Sequence, residues 1–128
     1  MNTALPARIK NMSPLLLVAD IEKSIKFYTQ ELGFKLSFRY DDFYSGIFKD
    51  GCSIHLKLSG KPAIEEKQKR KSNDDVDTIF SVEGIENMYG NISNKSVDII
   101  QPLREMAYEK EFYIADPDGY IIAFVEEI

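Results

Sequence analysis

The sequence contains no tryptophan, one cysteine, one histidine and no long apolar segment, and these shortages exclude several classes of protein. The single Cys52 cannot form a disulfide within the chain, which fits a reducing cytosol. No segment approaches the roughly 18 apolar residues of a membrane-spanning helix, and residues 1–14 lack the apolar core of a signal peptide. We therefore expect a cytoplasmic protein that has no membrane partner.

The chain also contains fewer basic than acidic residues. The chain has 16 Lys and Arg residues against 21 Asp and Glu residues, a formal net charge of −5. Nucleic acids bind basic surfaces, so we expect no nucleic-acid partner. The basic residues at positions 67–71 are flanked by acids, which predicts a solvated connector and not an anion site.

The composition that is present fits one globular domain. The chain has 128 residues, of which 44% are hydrophobic, and this is enough to bury a core. A short apolar strand at residues 14–20 ends at Asp20, a helix N-cap, and apolar residues then recur at helical spacing until Gly33. The dipeptide Asp50-Gly51 predicts a hairpin. Three stretches alternate like strands, at residues 34–40, 43–49 and 52–58.

The second half of the chain repeats this order. Residues 76–82 have strand periodicity and residues 83–95 helical periodicity, and strands then flank a turn at residues 116–119. One strand of the first half has no clear counterpart unless residues 103–108 supply it. Two copies of a βαβββ unit are the economical description of this pattern. It predicts a single α+β domain with a first module at residues 12–60, a connector at 61–75 and a second module at 76–128.

Two motifs resemble those of a known superfamily. LLLVADIEKSIKFYTQELGF, residues 15–34, resembles the opening of the vicinal oxygen chelate proteins, and EFYIADPDGYIIAF, residues 111–124, resembles their closing hairpin. The superfamily includes glyoxalase I, extradiol dioxygenases and the bleomycin-resistance proteins. The resemblance covers nearly the whole chain and implies two βαβββ modules whose curled mixed sheets form a cleft, commonly within a homodimer.

The resemblance also implies where a metal would be held. Enzymes of the superfamily use ligands from up to four strand positions, which correspond here to Ser13, His55, Asp77 and Ala123. A divalent metal needs about three imidazole, carboxylate or thiolate ligands. Serine is a poor ligand and alanine is none, so we expect no metal cofactor and no catalytic residues. The alternative is a displaced site for one divalent ion on His55, Asp77 and Glu111.

The residues leave the role of His55 open. Strand alternation places it on one face with Ser53 and Lys57, opposite Cys52. On that face His55 is a solvated polar residue, a ligand-binding residue or a metal ligand. Cys52 is expected to be a small core residue, because its side chain points to the other face and cannot pair with His55.

Two carboxylates in the closing motif are expected to be structural. Asp116 and Asp118 flank Pro117 and precede Gly119, which is a turn composition. Their side chains are therefore expected to accept hydrogen bonds from local backbone amides. We do not expect them to act as an acid–base pair.

Aromatic residues are the informative surplus, with seven tyrosines and eight phenylalanines. Alternation predicts that Phe38 and Tyr40 share a face with Leu36. Such surplus rings either line a pocket for flat or apolar ligands or fill the core and a dimer interface. The expected ligand-binding residues are those that alternation places on the same strand faces as the four metal positions, with the aromatic Phe38 and Tyr40 added. They are Ser13, Leu15, Leu17, Phe38, Tyr40, His55, Lys57, Asp77, Ile121 and Ala123.

We predict a metal-free small-molecule binding protein that resembles the bleomycin-resistance proteins and sequesters its ligand. The acidic net charge is compatible with a cationic ligand. The alternative is a divalent-metal-dependent glyoxalase-type lyase or dioxygenase with the displaced metal site. A third hypothesis is a degenerate domain kept for dimerisation or regulation.

Overall fold

The computed structural model describes residues 5–60 and 75–128, which form two four-stranded mixed sheets. The predicted connector lies almost wholly outside the described residues. The first module contains β1 (Leu15–Val18), α1 (Ile21–Lys26) with a π-helical extension (Phe27–Glu31), β2 (Lys35–Tyr40), β3 (Tyr44–Lys49) and β4 (Cys52–Leu58). The second contains β5 (Val76–Ser81), α2 (Ile85–Ser93), β6 (Asp98–Glu105), β7 (Glu109–Ala115) and β8 (Ile121–Glu127). Across the described ranges, no helix is long and apolar enough to cross a membrane.

The two sheets have the same topology. Their strand orders are β1-β4-β3-β2 and β5-β8-β7-β6, and in each the first pair is parallel and the other pairs are antiparallel. Each sheet with its helix is one βαβββ module, which confirms the predicted α+β fold class. The strand of the second half for which the sequence offered no clear counterpart, unless residues 103–108 supplied it, is β6 at Asp98–Glu105, which pairs with β7 as β2 pairs with β3.

Three short sequence signals predicted local structure correctly. Asp20 caps α1, and its side chain accepts a hydrogen bond from the Lys23 amide at 3.1 Å. Asp50 and Gly51 both have positive φ, 50° and 80°, as a tight hairpin between β3 and β4 requires. Gly33, with φ of 77°, follows the first helix as its stop residue.

The hydrophobic core is one buried cluster that includes residues of both modules. Its members alternate along the strands, with Leu16 and Val18 on β1 and Ile54 and Leu56 on β4. Tyr28 from the first helix is fully buried within it. Because side chains alternate between the faces of a strand, the intervening residues of β1 and β4 point away from this core.

The prediction that Cys52 is a core residue is wrong, because its side chain is exposed. Ile54 and Leu56 in the middle of β4 are buried, whereas Cys52 and Leu58 at its two ends are exposed. Cys52 follows the hairpin turn directly and is paired with Lys49. Alternation gave the face of Cys52, but the core does not extend to this end of the sheet.

The turn between β7 and β8 contacts the first module through Asp116. One carboxylate oxygen of Asp116 accepts hydrogen bonds from the amides of Asp118 and Tyr120, both at 2.9 Å, as the turn motif predicted. The other oxygen accepts a hydrogen bond from the Tyr28 hydroxyl at 2.7 Å. Burial, followed by the charge of Asp116, raises the pKa of Tyr28, so the phenol stays a donor.

Asp118 does not bond local amides as predicted and instead reaches the first module. Its carboxylate accepts hydrogen bonds from the Ala19 amide at 2.9 Å and the Ser24 hydroxyl at 3.3 Å. The Tyr120 hydroxyl donates to the Leu17 carbonyl at 2.8 Å and accepts from the Leu17 amide at 2.9 Å. We call these contacts of Asp116, Asp118 and Tyr120 the module junction.

The buried carboxylate of the module junction predicts a pH dependence of stability. Burial raises the pKa of Asp116 from 3.8 to about 6, against the opposing hydrogen bond from Tyr28. Because the folded pKa exceeds the unfolded one, the folded chain binds more protons between these values, and stability falls as pH rises through that window. We expect urea unfolding to give about 1 kcal/mol less stability at pH 7.5 than at pH 5 from this group.

The matched variant for this prediction is Asp116→Asn, which cannot ionise. Asp118 and Tyr120 face the same carboxylate, and burial also raises the pKa of Asp118, so both residues are retained in the comparison. The difference in stability between the wild type and Asp116→Asn should change across the window. An unchanged difference from pH 5 to pH 7.5 would contradict the assignment.

Candidate functional site

The face of the first sheet that points away from the core carries most of the predicted site residues. Directly opposed residues on neighbouring strands share a face. The pairs Phe38–Gly46, Gly46–His55 and His55–Leu15 therefore form one row across all four strands. We call this side of the sheet the open face. Its adjacent row consists of Tyr40, Tyr44, Lys57 and Leu17.

Leu36 does not belong to the open face. A β-bulge shifts the register between Leu36 and Phe38, so that Leu36 is paired with the fully buried Ile47 while Phe38 is paired with Gly46. A bulge adds one residue to a strand and reverses the alternation beyond it. The prediction that Leu36 and Phe38 share a face is wrong for this reason.

Four rings on the open face contact one another, and we call them the aromatic cluster. Phe38 is stacked on Tyr44 with centroids 6.0 Å apart and an interplanar angle of 14°. The same Phe38 ring lies edge-on to His55 at 5.3 Å and tilted against Tyr40 at 5.3 Å. The Tyr44 hydroxyl is 2.8 Å from Nδ1 of His55, which fixes the orientation of the imidazole. The cluster is thus a connected surface of rings.

Gly46 makes this arrangement possible. A β-carbon built on Gly46 would lie 2.2 Å from one Phe38 ring carbon and within 2.8 Å of two others. Real atoms do not approach so closely, so the Phe38 ring can lie across β3 only because residue 46 lacks a side chain. A glycine inside a strand is a sequence signal for such close approach.

The open face leaves several large apolar side chains accessible to solvent. Tyr40 is 58% exposed and Leu15 is 50% exposed, and Phe48 in the next row is 42% exposed. Phe38, His55 and the predicted Leu17 are half-buried. Contiguous exposed apolar side chains on a folded protein commonly mark a binding surface.

The four metal positions form two pairs, one in each sheet, with the same strand register. His55 is paired with Leu15, two residues after Ser13, and Ala123 is paired with Ile79, two residues after Asp77. The Ser13 hydroxyl is hydrogen-bonded to the Ser53 hydroxyl. The four positions carried over from the superfamily therefore occupy matching places in the two modules.

The predicted residues of the second module lie deeper than those of the first. Ile121 and Ala123 are 0% and 2% exposed, and Ala123 lies between its strand neighbours Tyr113 and Ile79. Asp77 is half-buried at a bulge in β5, and its carboxylate accepts a hydrogen bond from the Ile121 amide at 2.9 Å. At this burial, the side chains of Ile121 and Ala123 present almost no surface to solvent.

Glu111, the remaining candidate ligand for a displaced metal, is already paired. It is buried, and one carboxylate oxygen lies 2.8 Å from Nε of Arg104 and 2.6 Å from a second guanidinium nitrogen. The pKa of Tyr113 beside them is raised by its burial and by the Glu111 carboxylate. Within residues 5–60 and 75–128, no three His, Cys, Asp or Glu side chains are grouped closely enough to hold a metal ion. The donor set therefore does not fit the metal of the superfamily's enzymes.

Two residues of the open face, Tyr44 and Gly46, lie outside the predicted ligand-binding set. Tyr44 is one of the seven tyrosines, and Gly46 has no side chain that would mark it as a ligand-binding residue in the sequence. Both belong to β3, two residues apart, so parity with the hairpin partner His55 on β4 would have placed them on the open face.

The chain, with its open face and two modules, can be compared with known proteins. A sequence model of the Glyoxalase/Bleomycin resistance protein/Dioxygenase superfamily matches residues 9–124. The chain belongs to this superfamily. It is 31% identical over 132 residues to a bleomycin resistance protein of Geobacillus stearothermophilus, covering 90% of this chain and 95% of that protein. A bleomycin resistance protein of Staphylococcus aureus matches with the same identity and coverage.

Solved structures of the superfamily have the same fold at lower identity. The bleomycin-binding protein of Streptomyces verticillus, complexed with copper(II)-bleomycin, has a TM-score of 0.72 at 16% identity, covering 93% of this chain and 97% of that one. The fosfomycin resistance protein FosX of Listeria monocytogenes has a TM-score of 0.72 at 12% identity, covering 95% and 96%. Similarity at these identities shows the shared fold, and the match of the family model over residues 9–124 confirms the superfamily prediction.

Proposed function

We propose that this protein binds a cationic small molecule with flat rings, of the bleomycin type, and sequesters it without chemical change. The observation that carries the proposal is the aromatic cluster, whose rings stay exposed or half-buried on the open face. Such rings stack on flat ligands and attract cations. The net charge of −5 favours a cation, and the bleomycin resistance proteins at 31% identity support this ligand class.

Sequestration, and not catalysis, is supported by the chemistry of the four metal positions. Ala123 offers no ligand atom, and the Ser13 hydroxyl is a poor one. His55 and Asp77 already hydrogen-bond Tyr44 and a backbone amide. A lyase or dioxygenase of this superfamily would need about three ligands on one ion. We therefore propose that the ligand binds without a metal cofactor of the protein.

Replacing one ring of the cluster tests the proposal. Tyr40→Ala removes an exposed ring, and we expect the dissociation constant for bleomycin to rise about five- to tenfold, since a ring contact contributes about 1–1.5 kcal/mol. Isothermal titration calorimetry measures the change. The matched control is Tyr108→Ala, because Tyr108 is 86% exposed on the other module.

The two variants distinguish binding at the open face from non-specific binding to exposed tyrosines. The control should bind like the wild type. Equal losses in Tyr40→Ala and Tyr108→Ala, or no loss in either, would contradict a site on the open face.

We also propose that the protein is a cytoplasmic homodimer. Apolar residues on the open face beyond the aromatic cluster, such as Leu15 and Phe48, support a partner surface there. A one-chain mass in light scattering would contradict the dimer, and recovery outside the cytoplasmic fraction would contradict the location.

A further inference from the structure

A cavity of about 480 Å³ lies between the two modules. We call it the inter-module cavity. None of the predicted site residues and no ring of the aromatic cluster lines it. It is lined instead by residues near the end of the first helix, the β3–β4 hairpin, the end of β5, helix α2 and β8.

The floor of the inter-module cavity is a row of three phenylalanines from both modules. Phe34 lies 5.9 Å from Phe80, and Phe80 lies 5.6 Å from Phe124, measured between ring centroids. Phe34 and Phe124 are buried, whereas Phe80 and the neighbouring Met88 are half-buried and face a space that residues 5–60 and 75–128 do not fill. Cavities of about 300–1,000 Å³ with apolar walls are typical of small-molecule sites.

The rim of the cavity carries two ammonium groups. Lys95 donates hydrogen bonds to the backbone carbonyls of Gln30 at 3.2 Å and Glu31 at 3.1 Å. Lys49 lies 3.8 Å from the Asp50 carboxylate, which is 86% exposed, so solvent screens this pair strongly. An ammonium has three donors, and these contacts leave positive charge at the mouth. Glu31 and Asp50 also line the cavity, so the acidic group of a ligand would have to lie beside the two ammonium groups and away from these carboxylates.

We propose that the inter-module cavity is a second ligand site, for a small amphipathic organic anion. The apolar body would lie on the three phenylalanines, and its carboxylate or sulfonate would contact Lys49 and Lys95. This inference does not depend on the ligand of the open face. Because both modules form the walls, an occupant stabilises their arrangement by binding only the folded chain.

Cys52 provides a native reporter for this cavity. It is the only cysteine of the chain, it is exposed, and it lines the cavity. A ligand in the cavity would therefore slow the reaction of the Cys52 thiol with a disulfide reagent such as dithionitrobenzoate. The cysteine is not required for binding, since the floor and the two lysines supply the contacts.

The test uses anilinonaphthalene sulfonate, which has flat rings and one anionic group, and its neutral analogue phenylnaphthylamine. Asn91 lines the cavity and Asn87 does not, although both are exposed residues of α2. Asn91→Trp should fill the cavity and weaken the sulfonate probe at least tenfold, while Asn87→Trp should bind it like the wild type. Lys49→Gln should weaken the sulfonate probe about tenfold and leave the neutral analogue unchanged.

Four results would overturn the proposal. The first is equal probe binding by the two tryptophan variants, and the second is a Cys52 reaction rate that saturating probe does not change. The third is protection of Cys52 that rises with protein concentration in the absence of probe, because a second copy would then cover the cavity. Phe38→Ala should not affect the sulfonate probe, and the fourth result is a loss of binding in that variant, which would assign the probe to the open face.

Discussion

Gly46→Ala is expected to weaken ligand binding on the open face at least tenfold while the protein remains folded. The added methyl group would lie 2.2 Å from the Phe38 ring, so the ring must leave its place over β3. Its contacts with Tyr44 and His55 are then lost. The expected cost to stability is about 1–2 kcal/mol, typical of overpacking, because a side chain on a sheet face can rotate away. Calorimetry with bleomycin and urea unfolding measure the two effects separately.

A double-mutant cycle makes this prediction specific. In a Phe38→Ala background there is no ring for the methyl group to meet, so adding Gly46→Ala should change the affinity by less than about twofold. Full additivity of the two substitutions would show that Gly46 acts on binding by a route other than the position of Phe38.

Asp116→Ala is expected to lower the free energy of unfolding by about 3 kcal/mol, because it leaves buried donors without their acceptor. These donors are the amides of Asp118 and Tyr120 and the hydroxyl of Tyr28. Tyr28 is fully buried, so its hydroxyl has no direct access to water. The loss should appear as a lower midpoint in urea unfolding followed by circular dichroism.

The control for this substitution is Asp42→Ala. Asp42 also bonds a side chain, Arg39 at 2.6 Å, but its own side chain is 89% exposed. An exposed ion pair contributes about 0–1 kcal/mol, so this variant should be nearly neutral. Similar losses of stability in both variants would contradict the view that burial determines how much the module junction contributes to the free energy of unfolding.

Much of the fold could be predicted because its signals are local. Asp20 as a helix cap and Asp50-Gly51 as a hairpin turn depend on backbone conformation within a few residues. The repeated order of strands and helix then limits the topology, since two modules with the same pattern form the same sheet.

Two of the errors share a physical cause, because the burial expected from strand alternation does not continue past a bulge or beyond the edge of the core. The bulge before Phe38 reversed the face of Leu36, and no residue type in that strand marks the bulge. Cys52 was assigned to the core by parity, although the core does not extend to the end of β4. Asp118 was assigned a local partner, but its partners Ala19 and Ser24 are in the other module, and tertiary contacts of this kind leave no pattern in the sequence.

The strand positions of the candidate residues could be predicted from the sequence, whereas their burial could not. The strand register places Ser13 and His55 in one module where Asp77 and Ala123 lie in the other. Ala123 is buried because of its cross-strand neighbours. The strand register determines which residues these neighbours are. The contribution of Gly46 is visible only once the Phe38 ring has coordinates.

Calorimetric titration of chelator-treated protein with metal-free bleomycin tests the central claim most directly. The account predicts saturable binding whose dissociation constant is unchanged when a divalent metal is added back to the protein, and which Tyr40→Ala weakens. Absence of binding until Zn²⁺ or Fe²⁺ is supplied, with loss of that binding in His55→Ala, would contradict the account and favour a metalloenzyme.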